Sequence, residues 1–305
     1  MKKTAFFYFL FFTLCQSLFA QAPNWTVKEN DYQYTMTFVA KLNADGKQLI
    51  TANDKVAAFV GNTCRGVSGV TYVANEKNYY AFLTVFSNQQ GETISFKLYD
   101  SAGDKTKSVT KTIPFVVNEH RGNLFQSYSI AEPALNNQSE ILSFNFLDMT
   151  SLSSIISSGN VNINISESYP LNNLKPVFTL SKGANLYKNK VLQKSGEVTD
   201  NFLAAITYEV LSEDESNLKS YKVNVGQQAD PTLFYKKDAV CYARGAIKVV
   251  SKKEGATVQV SSNGKTVATK QIVNGEAQFS DLNAGSYIAT LGNDFKVINI
   301  TIKYN

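Results

Sequence analysis

The sequence predicts an all-β protein, three antiparallel β-sandwich units in series behind a leader segment. Three observations predict it. Apolar residues recur with a period of two, clearest where Tyr34, Met36, Phe38, Ala40 and Leu42 alternate with Thr35, Thr37, Val39 and Lys41, as on a half-buried strand. Turn pairs such as Asn263-Gly264 and Asn274-Gly275 sit between short alternating runs, where such a pair closes a hairpin. No long segment carries the i, i+3, i+4, i+7 spacing of a helix face. With 44% apolar and 12% aromatic residues among 305, the chain has material for packed cores, which excludes a disordered polymer.

Residues 1–20 open with Lys2 and Lys3, continue through the apolar run 5–14 and meet small residues at Ala20 and Ala22. This is the pattern of a secretory signal peptide, cleaved after Ala20 or Ala22. The run is shorter than the roughly 20 residues needed to span a bilayer, and no later segment could cross one as a helix. An exported chain is expected, extracellular or at the cell surface on the outer-membrane side, else periplasmic, and not an integral membrane protein.

The first unit, 21–132, takes its strands from 32–42, 56–60, 63–67, 79–86, 93–99 and 108–117, with turns at Gly61-Asn62 and 100–104. Residues 131–138 read as a linker by composition. The second unit, 133–231, runs through 141–146, 160–165, 178–184, 205–211 and 220–225, with the acidic loop Glu213-Asp214-Glu215 between the last two. The third, 232–305, places hairpins at Asn263-Gly264, Asn274-Gly275 and Gly292-Asn293.

Ile141-Leu142-Ser143-Phe144-Asn145-Phe146, the stretch from Leu174 to Ala184, Ile206-Thr207-Tyr208-Glu209-Val210 and Ser220-Tyr221-Lys222-Val223-Asn224-Val225 together resemble an immunoglobulin-like module widespread in secreted Bacteroidetes proteins. The resemblance implies a spacer or binding module with no catalytic residues to carry over. The stretches 57–67 and 96–100 look like an N-terminal β module of the same secretome. The third unit, with Leu282-Asn283-Ala284-Gly285-Ser286-Tyr287-Ile288 before a last strand at 295–303, is similar to the C-terminal sorting domain read by the type IX secretion system. That similarity implies the secretion machinery as a partner. It lacks the usual Tyr-Pro-Asn-Pro opening, replaced by Phe234-Tyr235-Lys236-Lys237-Asp238.

Charge is uneven: 232–305 holds 10 Lys/Arg against 5 Asp/Glu, a net +5, whereas 133–231 holds 7 against 10, a net −3. A basic third unit could meet an anionic glycan or lipid headgroup, although a solvated face is the expected reading. Nucleic acid is not expected, given export and no aromatic-interleaved Arg patch. The single histidine, His120, removes every mechanism that needs two imidazoles. Its neighbour Glu119 would point to the opposite face of a strand, and no Gly-x-Ser-x-Gly elbow supplies a nucleophile. His120 is therefore expected in a structural or surface role, in a chain that is not an enzyme and holds no cofactor or metal. Glu213, Asp214 and Glu215 lack the spacing of a calcium loop and are expected to be solvated. Cys64 and Cys241 lie in different units and are expected as two buried thiols rather than a disulfide.

Binding is left as the function. In the first unit Trp25, Tyr72, Tyr79 and Tyr80 are candidates for an aromatic surface that stacks on sugar rings. Arg65 could hold a carboxylate bidentately, from a ligand or from its own fold. The leading expectation is a secreted, non-enzymatic cell-surface or adhesin-like protein of binding and spacer modules, its ligand a surface glycan or a protein. The alternative is a carbohydrate-binding accessory protein of a glycan-degrading system. A hydrolase centred on His120 is the third class.

Overall fold

The computed structural model describes residues 22–303, and the expected signal peptide at 1–20 lies outside them. Strand makes up 59% of it and helix 2%, so the chain is all-β, as expected. Contacts divide the described chain into two units, one of 22–148, 155–161 and 174–224, the other of 149–154, 162–173 and 225–303.

The first nine strands are β1 (Tyr34–Ala44), β2 (Lys47–Gln48), β3 (Lys55–Val60), β4 (Thr63–Val73), β5 (Asn78–Ser87), β6 (Thr93–Asp100), β7 (Lys105–Pro114), β8 (His120–Arg121) and β9 (Tyr128–Glu132). They join in the order β2-β1-β5-β4-β3-β6-β7, with β8 and β9 on the free edge of β1. Strand β1 buries every second residue, and Met36, Phe38, Ala40 and Leu42 face Val56 and Ala58 of β3 and Ile94, Phe96 and Leu98 of β6 across one core. Phe38 and Phe96 meet edge to face at 5.9 Å. Burying a ring of this size contributes about 1.5–3 kcal/mol.

Strand β4 belongs to both layers: Thr63–Gly69 pairs with β3, and Val70–Val73 pairs with β5. Gly66 permits the crossing, because a Cβ there would lie 2.1 Å from the Thr84 carbonyl oxygen. These nine strands pair antiparallel, as expected, except at β8 and β9, which run parallel to β1. A parallel return needs a long connection, and between β1 and β8 the chain supplies it by running through β2 to β7.

Strands β10 (Ile141–Phe146), β11 (Ser153–Ser157), β12 (Asn160–Ser166), β13 (Pro176–Leu180), β14 (Asn185–Lys188), β15 (Val191–Gln193), β16 (Ile206–Leu211) and β17 (Leu218–Gln228) follow. They form a pair, β10-β13, and a six-stranded sheet, β11-β12-β17-β16-β14-β15. Phe144 meets Phe146, Phe178 and Tyr208 at ring separations of 6.0, 6.2 and 5.8 Å, and Phe146 meets Phe202 at 5.1 Å. Each such pair adds about 0.5–1.5 kcal/mol beyond its area. The buried Tyr208 hydroxyl donates to Asp200, which also pairs with Lys188, so neither polar group is left without a partner.

The remaining strands are β18 (Leu233–Lys237), β19 (Ala239–Val240), β20 (Gly245–Val250), β21 (Thr257–Ser262), β22 (Lys265–Gln271), β23 (Glu276–Leu282), β24 (Gly285–Leu291), β25 (Asp294–Ile300) and β26 (Ile302–Lys303). Two sheets, β18-β20-β23 and β22-β21-β24-β25, enclose Ile247, Val258, Val260, Phe279, Ala289 and Ile298, and β19 pairs with β26 in parallel. Asn263-Gly264 and Gly292-Asn293 close hairpins as the sequence predicts. Asn274-Gly275 does not: it closes only the bridge Val273–Glu276 and carries the chain from β22 in one sheet to β23 in the other.

Candidate ligand-binding site

The five residues singled out in the first unit do not converge. Trp25 is half-buried and stands edge-on to Phe59 of β3 at 6.1 Å, covering it. Arg65 of β4 lies 4.5 Å over the Tyr32 ring and 3.3 Å from Glu92, so the carboxylate it meets comes from its own fold. Tyr72 and Tyr79 are cross-strand partners of β4 and β5, with ring centroids 5.0 Å apart and planes inclined at 51°. Tyr72 is 51% exposed and Tyr79 half-buried. Beside them the Gln48 amide donates to Asn78 Oδ1 at 2.9 Å and to the Tyr79 carbonyl at 3.1 Å, which fixes the edge of the platform. Two rings held this way offer apolar faces to the C–H side of a sugar, and two hydroxyls to its rim.

Tyr80 corrects the expectation of a surface aromatic. It is 2% exposed, its hydroxyl donates to the Leu124 carbonyl at 2.8 Å, and Lys41 stands 5.3 Å over its ring. Burial, with the Glu215 carboxylate second, pushes its phenol up to about 12. The cover over Tyr80 comes from residues distant in sequence.

That cover includes the acidic loop, and it overturns the expectation of a solvated turn. Glu215 accepts from the Ser127 backbone N–H at 2.9 Å, from the Ser127 hydroxyl at 2.5 Å and from Lys41 Nζ at 2.5 Å. Glu213 accepts from the Asn136 N–H at 2.9 Å. Asp214 accepts from the Ser216 N–H at 3.0 Å and from the Ser212 hydroxyl at 2.7 Å. Each carboxylate is held by donors of the protein, and Glu215 clamps the turn after β16 onto Lys41 of β1 and onto Ser127.

His120 is exposed on β8, its Nδ1 2.9 Å from the Thr37 hydroxyl, on the rim of a cleft of about 510 Å³ shared with Lys111, Arg121 and Tyr128. Both cysteines are free thiols, but neither is buried as expected: Cys64 is half-buried, its pKa raised by burial, and Cys241 is exposed. Among the described residues no three His, Cys, Asp or Glu side chains gather as a metal site, and no helix is long and apolar enough to cross a membrane.

A cup of about 700 Å³ in the 225–303 stretch was not anticipated from the sequence. Val240 and Ala243 exchange backbone hydrogen bonds of 2.8 and 3.1 Å around Cys241-Tyr242, and this two-residue turn leaves Tyr242 87% exposed. Lys237, Arg244, Gln278, Asp281 and Asn283 line the cup with it. The signal was present as an aromatic at a tight turn beside two cations, but Cys-Tyr is not a turn pair that composition flags.

Residues 141–225 match the family model described as SGBP, N-terminal. No curated protein matches the chain. Among solved structures, a candidate glycoside hydrolase from Bacteroides thetaiotaomicron is 13% identical, covering 54% of this chain and 82% of its own, with a TM-score of 0.28. A secreted-protein candidate from Bacteroides fragilis is 17% identical over 30% of this chain and 97% of its own, with a TM-score of 0.24. The I67–I69 fragment of titin is 13% identical over 89% and 99%, with a TM-score of 0.20.

Proposed function

We propose that the chain is a glycan-binding accessory protein, exported and working at the cell surface or in the periplasm, with no catalytic step of its own. The match of 141–225 to a family of starch- or glycan-binding proteins of Bacteroidetes carries this reading. It favours the function that the sequence alone placed second, ahead of an adhesin. The Tyr72–Tyr79 pair supplies a surface of the right chemistry, two fixed rings whose hydroxyls make no protein hydrogen bond among the described residues.

The test is affinity electrophoresis and a glycan array on the exported chain. Tyr72→Ala with Tyr79→Ala should weaken binding of a neutral oligosaccharide about tenfold. Unchanged binding in the double variant removes the platform, and no glycan bound on the array removes the reading. A hydrolase activity abolished by His120→Ala would replace it with an enzyme.

A further inference from the structure

We infer that the cup formed by Lys237, Tyr242, Arg244, Gln278, Asp281 and Asn283 is a second subsite, built for a sugar ring that carries a carboxylate. The inference rests on the glycan-binding reading above and adds to it a charge class.

Three observations converge. Tyr242 is 87% exposed at the tip of a turn held by two backbone hydrogen bonds, so its ring is presented rather than packed. An aromatic in that position can stack on the C–H face of a pyranose at little ordering cost. Second, Lys237 and Arg244 have no carboxylate partner among the described residues. Their neighbours do: Lys236 pairs with Asp238 at 2.9 Å, Lys248 with Glu276 at 2.7 Å and Lys253 with Asp294 at 3.2 Å. Both cations line the cup. Third, the side-chain amides of Gln278 and Asn283 and the carboxylate of Asp281 make no hydrogen bond among the described residues, and they complete the lining with donors and acceptors suited to ring hydroxyls.

The guanidinium fork of Arg244 matches a carboxylate bidentately, and Lys237 adds a point charge. A neutral sugar would leave both cations unused. A membrane of anionic lipid would meet the same two cations, but it would also meet the negative Asp281 and could not fill a concave cup. The volume, about 700 Å³, lies in the range of small-ligand sites. The subsite serves only a chain that keeps residues 232–303 after export.

The experiment uses the exported chain with three probes: tetragalacturonate, the neutral galactan tetramer, and phosphatidylglycerol vesicles. Tetragalacturonate should bind, and more weakly at high salt, since the charges are exposed. Arg244→Gln with Lys237→Gln should weaken it at least about tenfold, Arg244→Lys should restore part, and Tyr242→Ala should weaken both tetramers at this subsite. Tyr72→Ala with Tyr79→Ala should leave tetragalacturonate binding unchanged. The inference is overturned if the two tetramers bind alike in the chain carrying Tyr72→Ala with Tyr79→Ala, if the charge-removing variant binds tetragalacturonate as the parent does, or if only the vesicles bind. Neutral glycan bound through Tyr72–Tyr79 without tetragalacturonate overturns the subsite alone, whereas no glycan bound at either place overturns both readings.

Discussion

Between Leu211 and Leu218 the chain turns through three acidic residues, and between Val240 and Ala243 it turns through Cys241 and Tyr242. Both connections are short and would be taken for solvent-facing turns. In the first, the carboxylate of Glu215 is consumed by Ser127 and Lys41, and the turn is a fastener. In the second, the backbone closes on itself and the side chains are left free. The difference lies in whether a buried donor elsewhere is waiting. Ser127 is 3% exposed, and without Glu215 its N–H would have no acceptor. No buried group depends on Tyr242.

The largest expected effect comes from undoing the fastener. Glu215→Ala should lower unfolding stability by about 2–3 kcal/mol in a urea titration, while Glu215→Gln, which keeps an acceptor for Ser127, should cost less. Equal losses would mean that the Lys41 charge pair dominates. Next is Tyr80→Phe, which removes the hydroxyl donated to Leu124 and should cost about 1 kcal/mol. It should leave glycan binding untouched, in contrast to the Tyr72 variant one strand away, and a binding defect would show that Tyr80 is not the buried strut described.

Acidification sharpens the comparison at a third turn. Asp54 is 1% exposed and joins the turn before β3 to the one after β6. Burial works to raise its pKa, but hydrogen bonds from Ser101 and Thr51 outweigh it and hold the carboxyl below its ordinary 3.8. Stability from this ionised group is complete above that ordinary value and is lost as pH falls through the depressed one. Asp54→Asn should therefore show a shallower loss of melting temperature below about pH 4, and an unchanged slope would assign the acid limb elsewhere. The smallest effect is at Tyr242, where Tyr242→Ala should leave stability within about 0.5 kcal/mol of the parent. A larger loss would make that turn a structural one.

What the sequence could show was local. The alternation from Tyr34 to Leu42 specifies a strand and its buried face, because each side chain's direction follows from its neighbour's. Asn263-Gly264 specifies a hairpin by its own backbone preference, whereas Asn274-Gly275 specifies only a turn, and which strands it joins is decided by the packing of two sheets. The candidate site was half legible for the same reason. Tyr72 and Tyr79 stay near the surface because they lie opposite one another near the ends of β4 and β5. Tyr80 occupies the other face, and what covers it depends on Glu215, which meets Lys41 across 174 residues of chain. Ser101 is a similar case: its hydroxyl donates to Asp54 at 2.7 Å, a partner 47 residues away in the chain.

Strand β4 has a mechanical consequence. One continuous backbone is zipped to β3 through its first half and to β5 through its second, with Gly66 at the close approach to β5. A pull on either layer is therefore carried by the other, and neither can peel away while β4 holds. A pull applied at Tyr72 would enter β4 at its β5-paired end and pass along the same backbone to the half paired with β3.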